Sequence, residues 1–323
     1  MQSKVTVAIC AYNAAAYIEQ TLRGVLRQTF KEFELLIIND CSTDNTLEVV
    51  ESTLLDFRHR VINLTHNQGI AYARERALEE SRTRYVIFID ADDIPLSGLL
   101  EQEYRVISSD DNIIGVSSWY RFIDTDGRAM RGGLFTGPKS REAFELMARG
   151  EKLIFLPIYT MFDREAALRV GGFRLDGFPC GRPRHQDYCE DLDLWTRMSD
   201  LYVEGKYMVT IPQILYNYRK GHSGLSSNSV YMTLKMIYVK RNLKLRRAGE
   251  SEISYVDFMG SVSAKKMNQL EYNARAGYYL RNGVLNIERF RLFSGVCDIV
   301  RSMAMNPHYF MQKLRANIRI FRG

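Results

Sequence analysis

The sequence has few cysteines and no long apolar run. Its five cysteines, in a chain of 323 residues, are widely scattered and none forms a C-x-x-C pair. An odd and scattered set is typical of a reducing compartment, where disulfides are rare. No apolar run approaches the roughly 18 residues needed to cross a bilayer, and no basic and apolar leader precedes the first predicted strand. We therefore expect a cytoplasmic protein, with peripheral attachment to the inner face of the cell membrane left open.

Charge is unevenly distributed along the chain. Residues 1–224 contain 27 Lys and Arg against 32 Asp and Glu, whereas residues 225–323 contain 17 against 6, a net charge of +11. Such asymmetry suggests contact with an anionic surface. The sequence carries the pattern of no known nucleic-acid-binding module, so we expect no nucleic-acid partner.

The first hundred residues alternate between strand and helix patterns. Short apolar runs predict strands at residues 5–9, 34–38, 60–64 and 85–89. Helical spacing predicts helices at 14–27, 43–55 and 70–80, with Asn13 and Ser42 as the residues that begin the first two. Repeated β-α units imply a mostly parallel sheet with helices on both faces. The fold class is therefore α/β.

The pattern changes after residue 110. Strands are predicted at 113–123, after Asp126-Gly127, and at 155–162, 207–211 and 214–218, with helices at 140–148 and 163–170. Beyond residue 228 the spacing is helical. We expect one domain at residues 1–224, in two halves (1–110 and 111–224), followed by a basic helical region at 225–323.

The strand predicted at 85–89 ends in three carboxylates: Asp90, Asp92 and Asp93. In open α/β sheets, ligands bind outside the carboxyl ends of the strands. Acids this close repel one another unless a cation lies between them, and their oxygens suit Mg²⁺ or Mn²⁺. The alternative is a solvated loop, and for Asp93 we favour a helix cap before Pro95.

Four separated motifs resemble, in order, the signatures of family 2 glycosyltransferases with a GT-A fold. They are Val7-Ala-Ile-Cys-Ala-Tyr-Asn13, Leu36-Ile-Ile-Asn-Asp-Cys-Ser-Thr-Asp44, Phe88-Ile-Asp-Ala-Asp-Asp93 and Glu190-Asp-Leu-Asp-Leu-Trp195. The segments Asn67-Gln-Gly-Ile-Ala-Tyr-Ala-Arg74 and Gly171-Gly172-Phe173 also match. The resemblance covers roughly residues 4–224, and its specificity lies in the order and spacing of the pieces.

The resemblance implies that residues 1–110 bind a nucleotide-diphosphate sugar, most simply a UDP-sugar. Asp40 would accept the imide N–H of uracil, Tyr12 would stack on the base next to Ala11, Arg74 would contact the nucleotide, and Asp90 would meet the ribose or a metal-bound water. The side chains alone leave alternatives open: Asp40 as a helix cap, Tyr12 as a buried ring, and Arg74 in a surface ion pair.

The resemblance also implies a divalent cation, Mn²⁺ or Mg²⁺, held by Asp92 with help from His222. Asp191 would be the catalytic base and Glu190 would orient it or the acceptor. Neighbouring acids, Asp193 included, would raise the pKa of that base. The alternatives are an ordinary loop histidine at His222 and a helix start enriched in acids at residues 190–193.

These expectations describe an inverting, metal-dependent glycosyltransferase acting on a saccharide or lipid-linked acceptor in surface polysaccharide synthesis. The Gln-x-x-Arg-Trp signature of processive members is absent, which favours transfer of one sugar per encounter. One alternative is a sugar nucleotidyltransferase, which should carry a Gly-rich phosphate loop after the first strand. Another is a catalytically inactive sugar-nucleotide-binding membrane scaffold of the same fold.

The C-terminal region mixes apolar and basic residues at helical spacing. Such a basic amphipathic pattern is typical of an anionic membrane surface. The alternative is a helical appendage that packs on the catalytic domain or on a second subunit, which would make a homodimer. We favour packing before residue 285 and membrane contact after it.

Overall fold

The structure is a computed structural model that describes residues 3–220, 229–288 and 292–320. The chain divides into two compact units. One contains residues 1–224 and 236–252, and the other contains 225–235 and 253–323.

The first unit is built on a mixed sheet. Its strands are β1 Val5–Ala11, β2 Phe33–Asn39, β3 His59–Asn63, β4 Tyr85–Asp90, β5 Ile94–Pro95, β6 Ile113–Ile123, β7 Ala129–Leu134, β8 Met161–Asp163 and β9 Tyr207–Arg219. They lie in the order β3-β2-β1-β4-β8-β6-β9-β5, with β7 paired to β6. The strands β1 to β4 pair in parallel, as expected from the β-α alternation. The α/β class predicted from the sequence is confirmed.

Helices cover both faces of this sheet because successive strand residues point to opposite sides. The helices are α1 Ile18–Leu26, α2 Thr46–Thr53, α3 Ile70–Glu80, α4 Leu99–Ile107, α5 Arg141–Arg149, α6 Arg164–Arg169, α7 Glu190–Met198 and α8 Ser229–Arg247. On β1, Val5, Val7 and Ile9 pack into one apolar cluster with α1 and α4, whereas Ala8 and Cys10 pack into another with α3 and α7.

Three of the predicted strands differ from the observed ones. The strand expected at 155–162 is only Met161–Asp163, because a turn precedes it in which the amide and hydroxyl of Thr160 both donate to the carbonyl of Pro157. The two strands expected at 207–218 are one strand, β9. Its pairing with β6 skips from Ile211 to Ile214, so residues 212–213 form a bulge.

Asn13 and Ser42 do not cap helices as expected. The first helical residue of α1 is Ile18, and that of α2 is Thr46. Instead, the Asn13 amide N–H donates to Ser42 Oγ at 3.1 Å, and the Thr43 amide donates to Asn13 Oδ1 at 2.8 Å. These reciprocal bonds join the turn after β1 to the turn after β2.

The second unit consists of helices, as predicted for the region beyond residue 228. In the part of the chain that the structure describes, no helix is both long and apolar enough to cross a membrane. Gly283 and Gly295 lie at a close crossing of two of these helices, where a Cβ atom on either would meet the carbonyl of the other within 2.9 Å. The helices are α9 Tyr255–Ser261, α10 Ala264–Glu288, α11 Leu292–Met305 and α12 Pro307–Ile320.

Residues 236–252, which include the later part of α8, belong to the first unit. Arg246 and Arg247 both bind Asp200, at 2.6 and 2.9 Å, and Arg174 pairs with Glu252. Part of the basic excess after residue 224 is therefore neutralised within the first unit.

A buried carboxyl group links α4 to two strands of the sheet. Glu103 is fully buried, and its oxygens accept hydrogen bonds from Ser118 Oγ on β6 at 3.0 Å and from the Met161 amide on β8 at 3.2 Å. Burial raises the pKa of Glu103 well above its ordinary value. Burial therefore favours the neutral form of the Glu103 side chain over its ionised form.

We predict that Glu103→Gln is at least as stable as the native chain at neutral pH. The amide oxygen can accept from the Met161 amide while the amide nitrogen donates to Ser118 Oγ, and no titrating group remains. Glu103→Ala should lose about 2 kcal/mol, since the Met161 amide is left without its acceptor. The folded carboxyl has a raised pKa, so the native chain should lose stability relative to the Gln variant as pH rises above 4.5. Urea denaturation between about pH 5 and pH 8 measures this difference, and parallel pH profiles would contradict it.

Candidate active site

The parallel register brings the ends of three strands side by side. Ala11 at the end of β1 is paired with Asn39 of β2, and Cys10 is paired with Asp90 of β4. The next residue after β2, Asp40, donates its amide to the carbonyl of Ala11 at 2.8 Å. Three of the four sequence motifs therefore lie together at the carboxyl ends of the neighbouring strands β2, β1 and β4.

Asp40 fixes the loop between β3 and α3. Its Oδ1 accepts the Gln68 amide at 2.7 Å, and its Oδ2 accepts Asn67 Nδ2 and the Gly69 amide, each at 2.8 Å. Burial raises the pKa of Asp40, and the two backbone amides oppose that shift. Asp40 therefore does not cap α2, which was the alternative to base binding.

Tyr12 and Ala11 differ in exposure at this edge. The side chain of Ala11 is buried, while Tyr12 is 46% exposed. The alternative of a buried tyrosine is thus wrong, and an exposed ring remains available to a planar ligand.

Arg74 joins the strand edge to α7. The side chain is buried, and it donates to Asp90 Oδ1 at 2.6 Å and to Glu190 Oε1. Residues 74 and 190 are 116 positions apart, so this ion-pair bridge connects α3, β4 and α7. A surface pair of Arg74 with a neighbouring glutamate, the alternative considered above, is not what forms.

Asp191 follows Glu190 on the first turn of α7, and its side chain is partly exposed. Burial raises the pKa of Asp191, whereas the positive charge of Arg74 and the Leu192 amide lower it, so the net shift is upward. A carboxylate with a raised pKa that retains access to solvent is suited to accept a proton.

Asp193 does not belong to this acidic group, contrary to the expectation that it crowds the base. It is buried, and its Oδ2 accepts a hydrogen bond from Arg197 Nε at 3.0 Å and lies 2.9 Å from Arg197 Nη2 in an ion pair. Arg197 also donates to the carbonyls of Val170 and Gly172. Asp193 therefore anchors α7 to the turn after α6.

Asp92 is exposed at the turn after β4. Desolvation by the surrounding groups and the nearby Asp90 carboxylate raise the pKa of Asp92 to about 6. Mg²⁺ and Mn²⁺ commonly bind one or two carboxylates and complete their coordination shell with substrate phosphates and water. Asp90 and Asp92, which lie within one turn and are accessible to solvent, fit this pattern. Among the described residues no group of three His, Cys, Asp or Glu side chains is arranged to bind a metal, and His222 lies outside those residues.

Asp93 is not a helix cap. It is buried, and its Oδ1 accepts the Arg219 amide at 2.7 Å. Pro95 lies in the short strand β5, and α4 begins only at Leu99. Burial and the neighbouring Asp90 and Asp92 charges raise the pKa of Asp93.

The sequence analysis missed Arg219, which holds the acidic turn from β9. Its Nε donates to the carbonyl of Asp92 at 2.6 Å, and its Nη1 donates to the carbonyls of Asp124 and Thr125. The guanidinium also lies 4.7 Å from the centre of the Tyr17 ring. No local pattern signals these contacts, because the partners are about 95 to 200 positions distant in the chain.

Arg184 and Asp187, in the segment before α7, were also not identified from the sequence. Arg184 donates to Asn67 Oδ1 at 2.6 Å and to the Asn67 carbonyl. A guanidinium can only donate, so it fixes the Asn67 amide with Nδ2 toward Asp40. Asp187 accepts the Ala71 amide at 3.1 Å, and a Cβ on Gly69, whose φ is +97°, would collide with the Asp187 carboxylate.

The sequence matches a family model over this site. The model for Glycosyl transferase family 2 matches residues 6–171, just over half of the 323 residues. The chain belongs to glycosyl transferase family 2. The matched range contains the motifs at the ends of β1, β2 and β4, and it ends before α7, where Glu190 and Asp191 lie.

Relatives of this family 2 glycosyltransferase include bacterial glycosyltransferases. TuaG of Bacillus subtilis, assigned to teichuronic acid biosynthesis, is 27% identical over 264 residues, which cover 81% of this chain and 97% of TuaG. A cholesterol galactosyltransferase of Borreliella burgdorferi is 32% identical over 117 residues, or 36% of this chain and 33% of the relative.

Solved structures show the same fold. TarS 1-349 of S. aureus in complex with UDP-GlcNAc has a TM-score of 0.57 at 18% identity, covering 97% of this chain and 92% of that one. A mannosyltransferase of Pyrobaculum calidifontis, PcManGT, in complex with GDP-Man and Mn²⁺ has a TM-score of 0.54 at 18% identity, covering 99% and 81%. The expected GT-A fold is confirmed.

Two acids on the first turn of α7 should respond oppositely to neutralisation. We predict that Asp193→Asn lowers the free energy of unfolding by about 3 kcal/mol, because it leaves the buried Arg197 without its countercharge. Asp191→Asn should leave stability unchanged or raise it, since the carboxylate of Asp191 is held at a raised pKa. Chemical denaturation of both variants measures this, and equal losses would contradict the assignment of Asp193 as the structural acid.

Proposed function

We propose that this chain is an inverting glycosyltransferase that moves one sugar from a UDP-sugar to a saccharide or lipid-linked acceptor in surface polysaccharide synthesis. The observation that carries the proposal is the Arg74 bridge, which holds Asp90 and Glu190 on one guanidinium and so brings the acidic turn after β4 toward Asp191. The names of relatives support the setting, since TuaG is assigned to teichuronic acid biosynthesis.

The donor would bind along the edge formed by the ends of β1, β2 and β4. The exposed ring of Tyr12 offers a stacking surface for the base, and Asp40, whose carboxylate is fixed by the 67–69 loop, offers an acceptor for the uracil imide. Asp90 and Arg74 would meet the ribose and the adjoining phosphate. TarS was solved with UDP-GlcNAc, which supports a uridine nucleotide, whereas PcManGT was solved with GDP-Man, so GDP-sugars are the competing donors.

Asp92 would hold the divalent cation, with His222 as a further ligand. When bound, the cation neutralises charge that develops on the departing diphosphate, an effect worth several kcal/mol in such reactions. PcManGT was solved with Mn²⁺, which supports this ion.

The transfer step uses Asp191 as the base. Asp191 takes the proton of the acceptor hydroxyl, and the hydroxyl oxygen bonds to the anomeric carbon as the bond from that carbon to the diphosphate oxygen breaks. The bonding electrons leave with the diphosphate, and attack opposite the leaving group inverts the anomeric configuration. Glu190, neutralised by Arg74, orients the helix start that carries Asp191.

The direct test incubates the purified protein and Mn²⁺ with a panel of UDP-sugars and GDP-sugars, and measures release of the nucleoside diphosphate with candidate saccharide acceptors. Turnover of one UDP-sugar supports the proposal. If nucleotide sugars bind but none is turned over with any of the acceptors, the result would favour a sugar-nucleotide-binding scaffold instead.

We predict that Asp191→Asn retains donor affinity and loses transfer by at least about 100-fold, because the amide cannot accept the proton. Asp56→Asn, an exposed aspartate after α2, is the matched control and should transfer normally. In the native chain, transfer should fall as pH is lowered through the raised pKa of Asp191. Near-native transfer by Asp191→Asn would remove the base assignment.

We predict that Asp92→Asn weakens Mn²⁺-dependent binding of UDP by about tenfold or more, because one charged ligand is lost at an exposed metal site. Titration calorimetry with and without Mn²⁺ separates this from metal-independent base binding, which should not change. The Asp56→Asn control should keep the full Mn²⁺ effect. If Asp92→Asn bound UDP and Mn²⁺ like the native chain, Asp92 would not be a ligand.

A further inference from the structure

Helix α11 exposes a continuous apolar face. Five large apolar side chains of this helix are exposed, with exposed fractions from 47% to 85%: Leu292, Phe293, Val296, Val300 and Met303. At 3.6 residues per turn these positions fall on one side of the helix. We call this set the α11 face.

The opposite side of α11 is the one that packs within the second unit. Gly295 and Ser302 are buried there, and Ser302 Oγ donates to the carbonyl of Ala276 on α10 at 2.8 Å. The helix is therefore fixed in orientation by α10. The α11 face therefore belongs to a helix that is packed against α10.

Single exposed apolar residues are ordinary, but a contiguous patch marks a docking surface. The α11 face carries no acidic side chain. Asp298 lies on the opposite side of the helix, near the buried Gly295 and Ser302, where it is partly buried and pairs with Asn286 and Arg301. Arg301 follows Val300 in the sequence and is 64% exposed, with its guanidinium 3.5 Å from Asp298. A long basic side chain of this kind can carry its charge to a polar boundary.

The net charge of the second unit favours an anionic partner. Exposed cations outnumber exposed anions six to two in the described residues of that unit, with Asp257 and Glu271 against Lys265, Lys266, Arg275, Arg281, Arg301 and Lys313. A second copy of the chain would bring the same positive charge to the interface and be repelled. An anionic lipid surface would be attracted, at roughly 1 kcal/mol per basic residue close to it.

We propose that the α11 face inserts into the headgroup and acyl boundary of an anionic phospholipid bilayer. The helix lies in the plane of the membrane with Phe293 and its apolar neighbours toward the acyl chains and Arg301 at the phosphate level. A helix of 14 residues cannot span a bilayer but suits this interfacial position. The inference is independent of donor and acceptor chemistry, because binding to lipid requires neither.

The test measures co-sedimentation of the full chain with vesicles of phosphatidylcholine alone and of phosphatidylcholine mixed with phosphatidylglycerol, without substrate. The native chain should bind the anionic vesicles and release them as salt increases. Phe293→Glu should lower the partition coefficient by about tenfold or more, since it removes one large apolar anchor and adds a charge repelled by the lipid. Circular dichroism verifies that the variant is folded.

The matched control is Leu55→Glu, which places the same charge at an equally exposed apolar residue of the first unit, 82% exposed against 85% for Phe293. Its vesicle binding should stay within about twofold of the native chain. Equal binding by the native chain and Phe293→Glu would overturn the proposal. So would a native dimer that fails to bind vesicles and becomes monomeric in Phe293→Glu, as measured by light scattering, because the face would then be an interface between two copies.

Discussion

The candidate site depends on one buried guanidinium. Arg74 is buried and binds Asp90 and Glu190, so one guanidinium compensates the charge of both carboxylates. A buried ion pair adds little net stability, but removal of one partner leaves an uncompensated charge that costs several kcal/mol. The ion-pair bridge therefore holds α3, β4 and α7 in one relative arrangement. That arrangement sets the positions of the other side chains of the candidate site.

The backbone near the site is also held in uncommon conformations. In the described ranges, positive φ occurs at four residues that are not glycine: Asn13, Cys41, Glu151 and Cys189. Three of these directly follow or precede residues assigned to the site, namely Tyr12, Asp40 and Glu190. Such conformations cost of order 1–3 kcal/mol each and persist only where neighbouring contacts impose them. The bonds between Asn13 and residues 42–43 are one such set of contacts.

The sequence predicted the parts of the fold that arise from local periodicity. The four parallel strands and the acids that follow them were expected because buried strands read as apolar runs and their ends align in a parallel sheet. The roles of Asp93 and Asp193 were wrong for a common reason. Each looks like a helix-start acid locally, yet each is buried against a partner fixed by tertiary packing: the Arg219 amide for Asp93 and the Arg197 guanidinium for Asp193. Arg184 could not be found either, because its partner Asn67 is 117 residues away.

The same acidic turn of α7 shows how one short segment supplies both structure and chemistry. Glu190 is neutralised by Arg74 and Asp193 by Arg197, so two of its three acids are committed to ion pairs. Asp191 lies between them, partly exposed, and burial raises its pKa against the opposing charge of Arg74. Were Arg74 to bind Asp191 instead, its positive charge would lower that pKa and weaken the base. Because Arg74 pairs with Glu190, it can hold the start of α7 in place without binding the Asp191 carboxylate. Asp191 therefore stays available to accept a proton.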